Sequence, residues 1–144
     1  MKDLNNFKKK IFSQNGEDGI VEEILNRLSG SLDKICCEFG AWDGIHLSNI
    51  YNLVKNKNYK GLYIEGDDKK FVDLKKNFEG QNVTLINKYV SFEGKNNLDN
   101  ILTIAGKPGL FRMVAQTRKG VIASSLSDQK KVVTNIRHQV NLLS

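Results

Sequence analysis

Three short apolar runs dominate this chain: KICCEF (34–39), GLYIE (61–65) and VTLIN (83–87). Between and before them, apolar residues recur at helical spacing. Ile20, Val21, Ile24, Leu25 and Leu28 form one stripe. Ser13 and Asn15 offer capping oxygens ahead of it, Glu17 and Asp18 suit a first turn, and Gly30 is a natural stop. Residues 47–57 and 68–79 are the next two helices; in the latter, Phe71, Leu74 and Phe78 share a face opposite lysines. The third strand is expected over 83–87, with an extension to Val90. An order of helix, strand, helix, strand, helix, strand predicts parallel βαβ units with right-handed crossovers.

After residue 97 the rhythm changes. LDNILTI (98–104) predicts a short helix and AGKPG (105–109) a turn cluster. LFRMVAQT (110–117), VIASSL (121–126), VVTNI (132–136) and HQVNLL (138–143) are strand-like. Short strands at this spacing predict an antiparallel meander or small barrel instead of further βαβ units. Charge shifts at the same place. Residues 1–97 carry 15 basic against 14 acidic side chains, and residues 98–144 carry 7 against 2, for a net charge of +6. The expected division is therefore 1–97 and 98–144.

Composition narrows the class. With 40% apolar and 26% charged residues the chain is ordinary for a globular protein. No apolar run approaches the ~20 residues of a bilayer-spanning helix. The basic start lacks a following apolar stretch, so no secretory signal is expected. Cys36 and Cys37 are adjacent, so on a strand they point to opposite faces and cannot pair with each other. They have no companions at ligand spacing, so no metal is expected and the cytoplasm is the expected compartment.

The chemistry concentrates where the strands end. Glu38-Phe39-Gly40-Ala41-Trp42-Asp43-Gly44 lies between the first strand and the next helix, and Glu65 ends the second strand. Gly40 and Gly44 let the backbone turn sharply and approach a ligand. A carboxylate at Glu65 is placed to accept hydrogen bonds from ribose hydroxyls, with the ligand outside the carboxyl ends of the strands. The glycine spacing is G-x-x-x-G, not the dinucleotide G-x-G-x-x-G, and Glu38 and Asp43 would repel a pyrophosphate. They suit a ribose-bearing ligand with an amino group and a positive centre. S-adenosylmethionine has all three.

SQNGEDGIVEEIL (13–25), CCEFGAWDGIHLSNIYNL (36–53) and GLYIEGDDKKF (61–71) resemble the FkbM-type class I methyltransferases, in the bacterial branch with a SQ-GEDG opening and an EFGAWDG motif. The resemblance runs from about residue 11 to about residue 102. It implies the N-terminal half of a Rossmann-like, S-adenosylmethionine-binding sheet and methyl transfer to an oxygen, with a saccharide or similar small molecule as acceptor. It further implies that Glu38, Gly40, Asp43 and Gly44 line the methionine end of the cofactor. On the same resemblance Glu65 would bind the ribose, Val90 and Ser91 would lie near the adenine, and Gln14–Asp18 would cover the pocket. Nothing after Leu102 matches the Asp-rich fourth-strand segment expected of this branch, so catalysis is expected to be impaired and no catalytic residue is assigned. His46 and His138 are weak candidates for a base. An incomplete parallel sheet would leave an apolar edge through which copies could associate.

Residues 98–144 resemble instead the start of a small domain of Bacteroidetes proteins with an ILxIxGKPGLFxxVxQTRxGxIxxSL pattern, which implies an SH3-like barrel of short strands. LDNIL (98–102) fits the end of one resemblance and the start of the other, so the chain reads as a fusion of two fragments. The competing function is a non-enzymatic nucleic-acid- or protein-binding module built on Arg112, Arg118, Lys119, Lys130, Lys131 and Arg137. Phe111 is the single aromatic there, which is poor provision for base stacking.

Overall fold

The computed structural model describes residues 3–27, 34–91 and 93–106, together with the backbone of 114–116, 121–125 and 131–135. The protein is mixed α/β. A 3₁₀ turn (Leu4–Phe7) leads into α1 (Glu17–Arg27), followed by β1 (Ile35–Phe39), α2 (Tyr51–Asn56), β2 (Lys60–Glu65), α3 (Asp68–Asn77), β3 (Thr84–Asn87) and α4 (Leu98–Ile104). Three strands complete it: β4 (Val114–Gln116), β5 (Val121–Ser125) and β6 (Lys131–Asn135). Leu28, Gly30 and the 138–143 run lie outside the described residues.

The sheet is open, with strand order β3-β2-β1-β4-β5-β6. β1 pairs parallel with β2, aligning Phe39 with Ile64, and β2 pairs parallel with β3, aligning Glu65 with Asn87. The βαβ expectation therefore holds for the first three strands. One expectation is corrected. The first strand after residue 97 continues the parallel pattern, because β4 pairs parallel with β1 and only β4–β5 and β5–β6 are antiparallel. An unpaired β1 edge is a row of free N–H and C=O groups, and β4 satisfies part of it.

Side-chain alternation puts two cores on the two faces. Cys36 and Tyr63 join Val21 of α1, Leu53 of α2 and Leu74 of α3 in one cluster. Cys37, Leu62 and Ile64 join Ile101 and Leu102 of α4 in the other. The adjacent cysteines thus face apart, both free and buried, as their period-2 placement requires. Burial pushes both thiols up from their ordinary range.

The second helix starts later than its apolar spacing predicts, at Tyr51 and not at residue 47. Leu47 has a φ of 57°, which no right-handed helix accommodates. Ser48 Oγ accepts from the Tyr51 N–H (3.0 Å), and the Asn49 N–H donates out of the helix to Glu38 (3.0 Å). Glu38 thus holds the segment ahead of the helix through a donor that no helical carbonyl reaches. The third strand ends at Asn87, short of Val90. α3 follows the sequence more closely. Asp67 is its N-cap, accepting from the Lys69 and Lys70 N–H groups.

Tyr63 is fully buried against Phe78, with ring centroids 4.7 Å apart, and among the described residues its hydroxyl has no hydrogen-bond partner. An unsatisfied buried hydroxyl opposes folding. Tyr63→Phe should therefore raise stability by about 1 kcal/mol in urea unfolding. A loss of stability would mean that the hydroxyl is satisfied in solution, by water.

Candidate functional site: the cleft at the strand ends

The turn after β1 is built by its own carboxylates. Glu38 is fully buried; its Oε2 accepts from Ser48 Oγ (2.6 Å) and its Oε1 from the Asn49 N–H. Burial pushes its carboxyl up to about 8, against the pull of those two hydrogen bonds, and nearby Asp18 and Asp43 push in the same direction as burial. Asp43 Oδ1 accepts from the Ile45 and His46 N–H groups (2.9 and 2.8 Å), closing a tight turn. Gly44 has a φ of 75°, and a Cβ there would strike the Phe78 ring and Leu74. Both its backbone conformation and its packing exclude a side chain.

The turn is moored to the neighbouring strand and helix. The Ala41 N–H donates to the Ile64 carbonyl (3.2 Å), and the Trp42 N–H to Glu65 Oε2 (2.7 Å). Asn77 Nδ2 at the end of α3 donates to the Asp43 carbonyl (3.0 Å). Glu65 Oε1 accepts from the Asp67 N–H (2.9 Å), and Asn87 Nδ2 donates to the Glu65 carbonyl (3.0 Å). The ends of β1, β2 and β3 are thereby tied around one residue, Glu65, through its carboxylate and its main-chain carbonyl.

These strand ends enclose a cleft of about 280 Å3. Phe39, Gly40 and Trp42 line it from the β1 side, and Glu65, Gly66, Asp67 and Lys70 from β2 and the start of α3. Lys88, Tyr89 and Val90 close it from beyond β3. Gly40 has a φ of 66°, and among the described residues a Cβ there would meet nothing within 4 Å. Trp42 has a φ of 52° and remains 40% exposed; Tyr89 is 67% exposed, its ring lying against Gly66. A non-glycine residue held in the left-handed region beside a cleft is where strain and function tend to coincide.

Of the seven residues placed at the cofactor by the resemblance, Gly40, Glu65 and Val90 line this cleft. Glu38, Asp43 and Gly44 stand behind it as the framework of the turn. Ser91 lies beyond the lining residues, exposed, with its hydroxyl donating to the Glu93 carbonyl (2.7 Å). Gln14–Asp18 do not line the cleft; Asp18 is buried against the backbone of 11–13. His46 is exposed, its ring edge-on to Trp42 at 5.4 Å.

Trp42, Lys70, Lys88 and Tyr89 were not among the expected site residues. Trp42 sits inside the glycine turn, which was its only local signal. The other three come from segments whose proximity depends on parallel pairing. Phe111, Arg112, Arg118, Lys119, Lys130, Arg137 and His138 lie outside the described residues, and Lys131 is described only as part of the β6 backbone. Among the described residues no group of three His, Cys, Asp or Glu side chains is arranged to hold a metal ion, and no helix is long and apolar enough to cross a membrane.

Comparison with known families places a similarity in the C-terminal part. The model of a domain of unknown function, DUF5606, matches residues 98–143, less than half of the chain. The match begins at the first residue of α4, where the charge balance also shifts. No curated protein and no solved structure matches the chain.

Proposed function

We propose that this chain binds S-adenosylmethionine, with the nucleoside part in the cleft at the carboxyl ends of β1, β2 and β3. The observation that carries the reading is Glu65. It is a nearly buried carboxylate, 6% exposed, ending a parallel strand and lining a cleft beside Gly40. Each of its oxygens accepts one backbone N–H, and a carboxylate oxygen has room for a second donor such as a ribose hydroxyl. Trp42 and Tyr89 offer aromatic faces to an adenine. The order β3-β2-β1-β4 is that of nucleotide-binding doubly wound sheets, which bind ligands at this end. A volume of about 280 Å3 suits a nucleoside better than a dinucleotide.

Glu65 would hold the ribose, the Gly40 backbone would let the ligand approach, and the Glu38–Ser48–Asn49 bonds would keep the turn in place. When bound, the cofactor supplies an electrophilic methyl group. The acceptor class implied by the sequence resemblance is a saccharide or similar hydroxyl compound. No side chain of the described cleft is assigned as a base, so the proposal is for cofactor binding, with methyl transfer as the chemistry of the family it resembles.

A thermal melt with and without S-adenosylmethionine tests this. At ~100 times its dissociation constant the ligand should add about 2.7 kcal/mol to the native state, raising Tm by several degrees. Glu65→Ala should abolish the rise. Glu65→Gln, which keeps an acceptor for one of the two N–H groups, checks that the loss is not simple unfolding. A cooperative wild-type transition unmoved by S-adenosylmethionine and by adenosine would overturn the proposal.

A further inference from the structure

The glycines at the strand ends are not equivalent. Gly40 and Gly44 take a positive φ, a conformation that itself disfavours a side chain. Gly66 does not, so its backbone would accept one. What excludes a side chain at Gly66 is Tyr89: a Cβ there would overlap Cγ, Cδ1 and Cε1 of that ring. Overlap with three consecutive ring carbons puts the Cβ over the ring face, not beyond its edge. Tyr89 therefore lies with one face on the Gly66 backbone. Strand register brings it there. Glu65, just before Gly66, pairs with Asn87, two residues before Tyr89, and Asn87 Nδ2 donates to the Glu65 carbonyl (3.0 Å). Tyr89 is nevertheless exposed, and it lines the cleft together with Glu65 and Gly66. An aromatic residue of the core buries both faces. This one is held by contact on one face while most of the residue stays open, which is the disposition of a stacking platform.

We propose that Gly66 is a positioning residue for the base of the bound nucleoside: by carrying no side chain it seats the Tyr89 ring beside Glu65, and that ring stacks on the base whose ribose Glu65 holds. The proposal rests on the nucleoside-binding reading above and adds the residue that sets the grip on the base. A stacked ring reads only the flat face of the base, a part that adenosine and S-adenosylmethionine share, so both ligands should respond alike. Tyr89 stands at the surface, so a methyl group at position 66 should swing its ring into another staggered rotamer and leave the chain folded.

Equilibrium binding of adenosine and S-adenosylmethionine to wild type, Gly66→Ala, Tyr89→Leu and the double variant tests this, with cooperative melting confirming that each chain folds. Each single variant should bind both ligands about tenfold more weakly than wild type. The double variant should bind no more weakly than Tyr89→Leu, because the glycine acts through the ring. Tyr89→Phe, which keeps the ring, should bind like wild type. In the unliganded protein the Gly66 Hα resonances should be shifted by the ring current in wild type and lose that shift in Tyr89→Leu. Wild-type affinity in Gly66→Ala or Tyr89→Leu would overturn the proposal and leave the nucleoside reading intact. So would a loss in the double variant equal to the product of the two single losses, or a Gly66→Ala chain that no longer folds. Absence of the ring-current shift would overturn the seating of Tyr89 on Gly66, and the proposal with it. A folded wild type that binds neither ligand would overturn the nucleoside reading and the proposal together.

Discussion

Asp18→Ala should cost this protein about 3–5 kcal/mol, a large share of the 5–15 kcal/mol that holds a typical domain folded. Asp18 is 1% exposed, and its Oδ2 accepts from the Ile11, Phe12 and Ser13 N–H groups at 2.8–2.9 Å and from Ser13 Oγ at 2.7 Å. Ser13 Oγ accepts in turn from the Asp18 N–H (3.0 Å), so the pair both caps α1 and folds the preceding segment onto it. Removing the carboxylate leaves four donors without an acceptor. Each buried one costs about 1–3 kcal/mol, and the donors nearest the surface recover part of that through water. Ser13 and Leu47 form a bridge, so the loss should loosen the loop that leads into α2 as well. Asp18→Asn keeps one acceptor oxygen and should lose about half as much. Urea unfolding of both variants checks this, and a loss below about 1 kcal/mol in Asp18→Ala would show that the network contributes little.

The second large effect is a dependence of stability on pH, with Glu38 as its source. The unfolded carboxyl titrates near 4.5 and the folded one near 8. The native state therefore binds the proton more tightly. Between these two values the folded protein holds more protons than the unfolded one, so stability falls as pH rises. Glu38 contributes its full stabilising term below about pH 4.5, and that term is lost as pH climbs through about 8. The slope approaches 1.4 kcal/mol per pH unit inside the window, for a total on the order of 5 kcal/mol. Urea midpoints measured from pH 5 to pH 9 should decline and then level off. Glu38→Gln, which offers Asn49 an oxygen and Ser48 an amide, should flatten the curve and be more stable than wild type at pH 9. Parallel curves for the two proteins would sink this assignment and point to water reaching the Glu38 carboxylate.

Part of this molecule is determined by local sequence alone. The alternation of apolar runs with amphipathic stretches suffices to place β1–β3 and α1, α3 and α4 to within a few residues, because hydrophobic period is a property of a single segment. Asp67 capping α3 and Ser13 capping α1 are equally local. So is the separation of Cys36 from Cys37, which follows from the two-residue period of a strand. Glu65 and Gly40 are legible as strand-end residues for the same reason, and the structure places both in the cleft lining.

Tertiary structure decided the rest. Glu38 and Glu65 look alike in sequence, both carboxylates near the end of a strand. One is a buried brace for the turn and the other lines the cleft, because depth depends on which loop folds over which strand. Leu47–Ile50 has helical spacing but is no helix, because Leu47 takes a φ of 57° in the turn that carries Ser48 and Asn49 to the Glu38 carboxyl. Lys70, Lys88 and Tyr89 carry no local mark of a site. They reach the cleft because β2 pairs in parallel with both β1 and β3, and parallel pairing brings the segments that follow the strands to one end of the sheet. The partner of β1 on its other side is likewise invisible to periodicity. An edge strand's unpaired backbone is a demand that any extended segment can meet, and only the folded chain shows that β4 meets it.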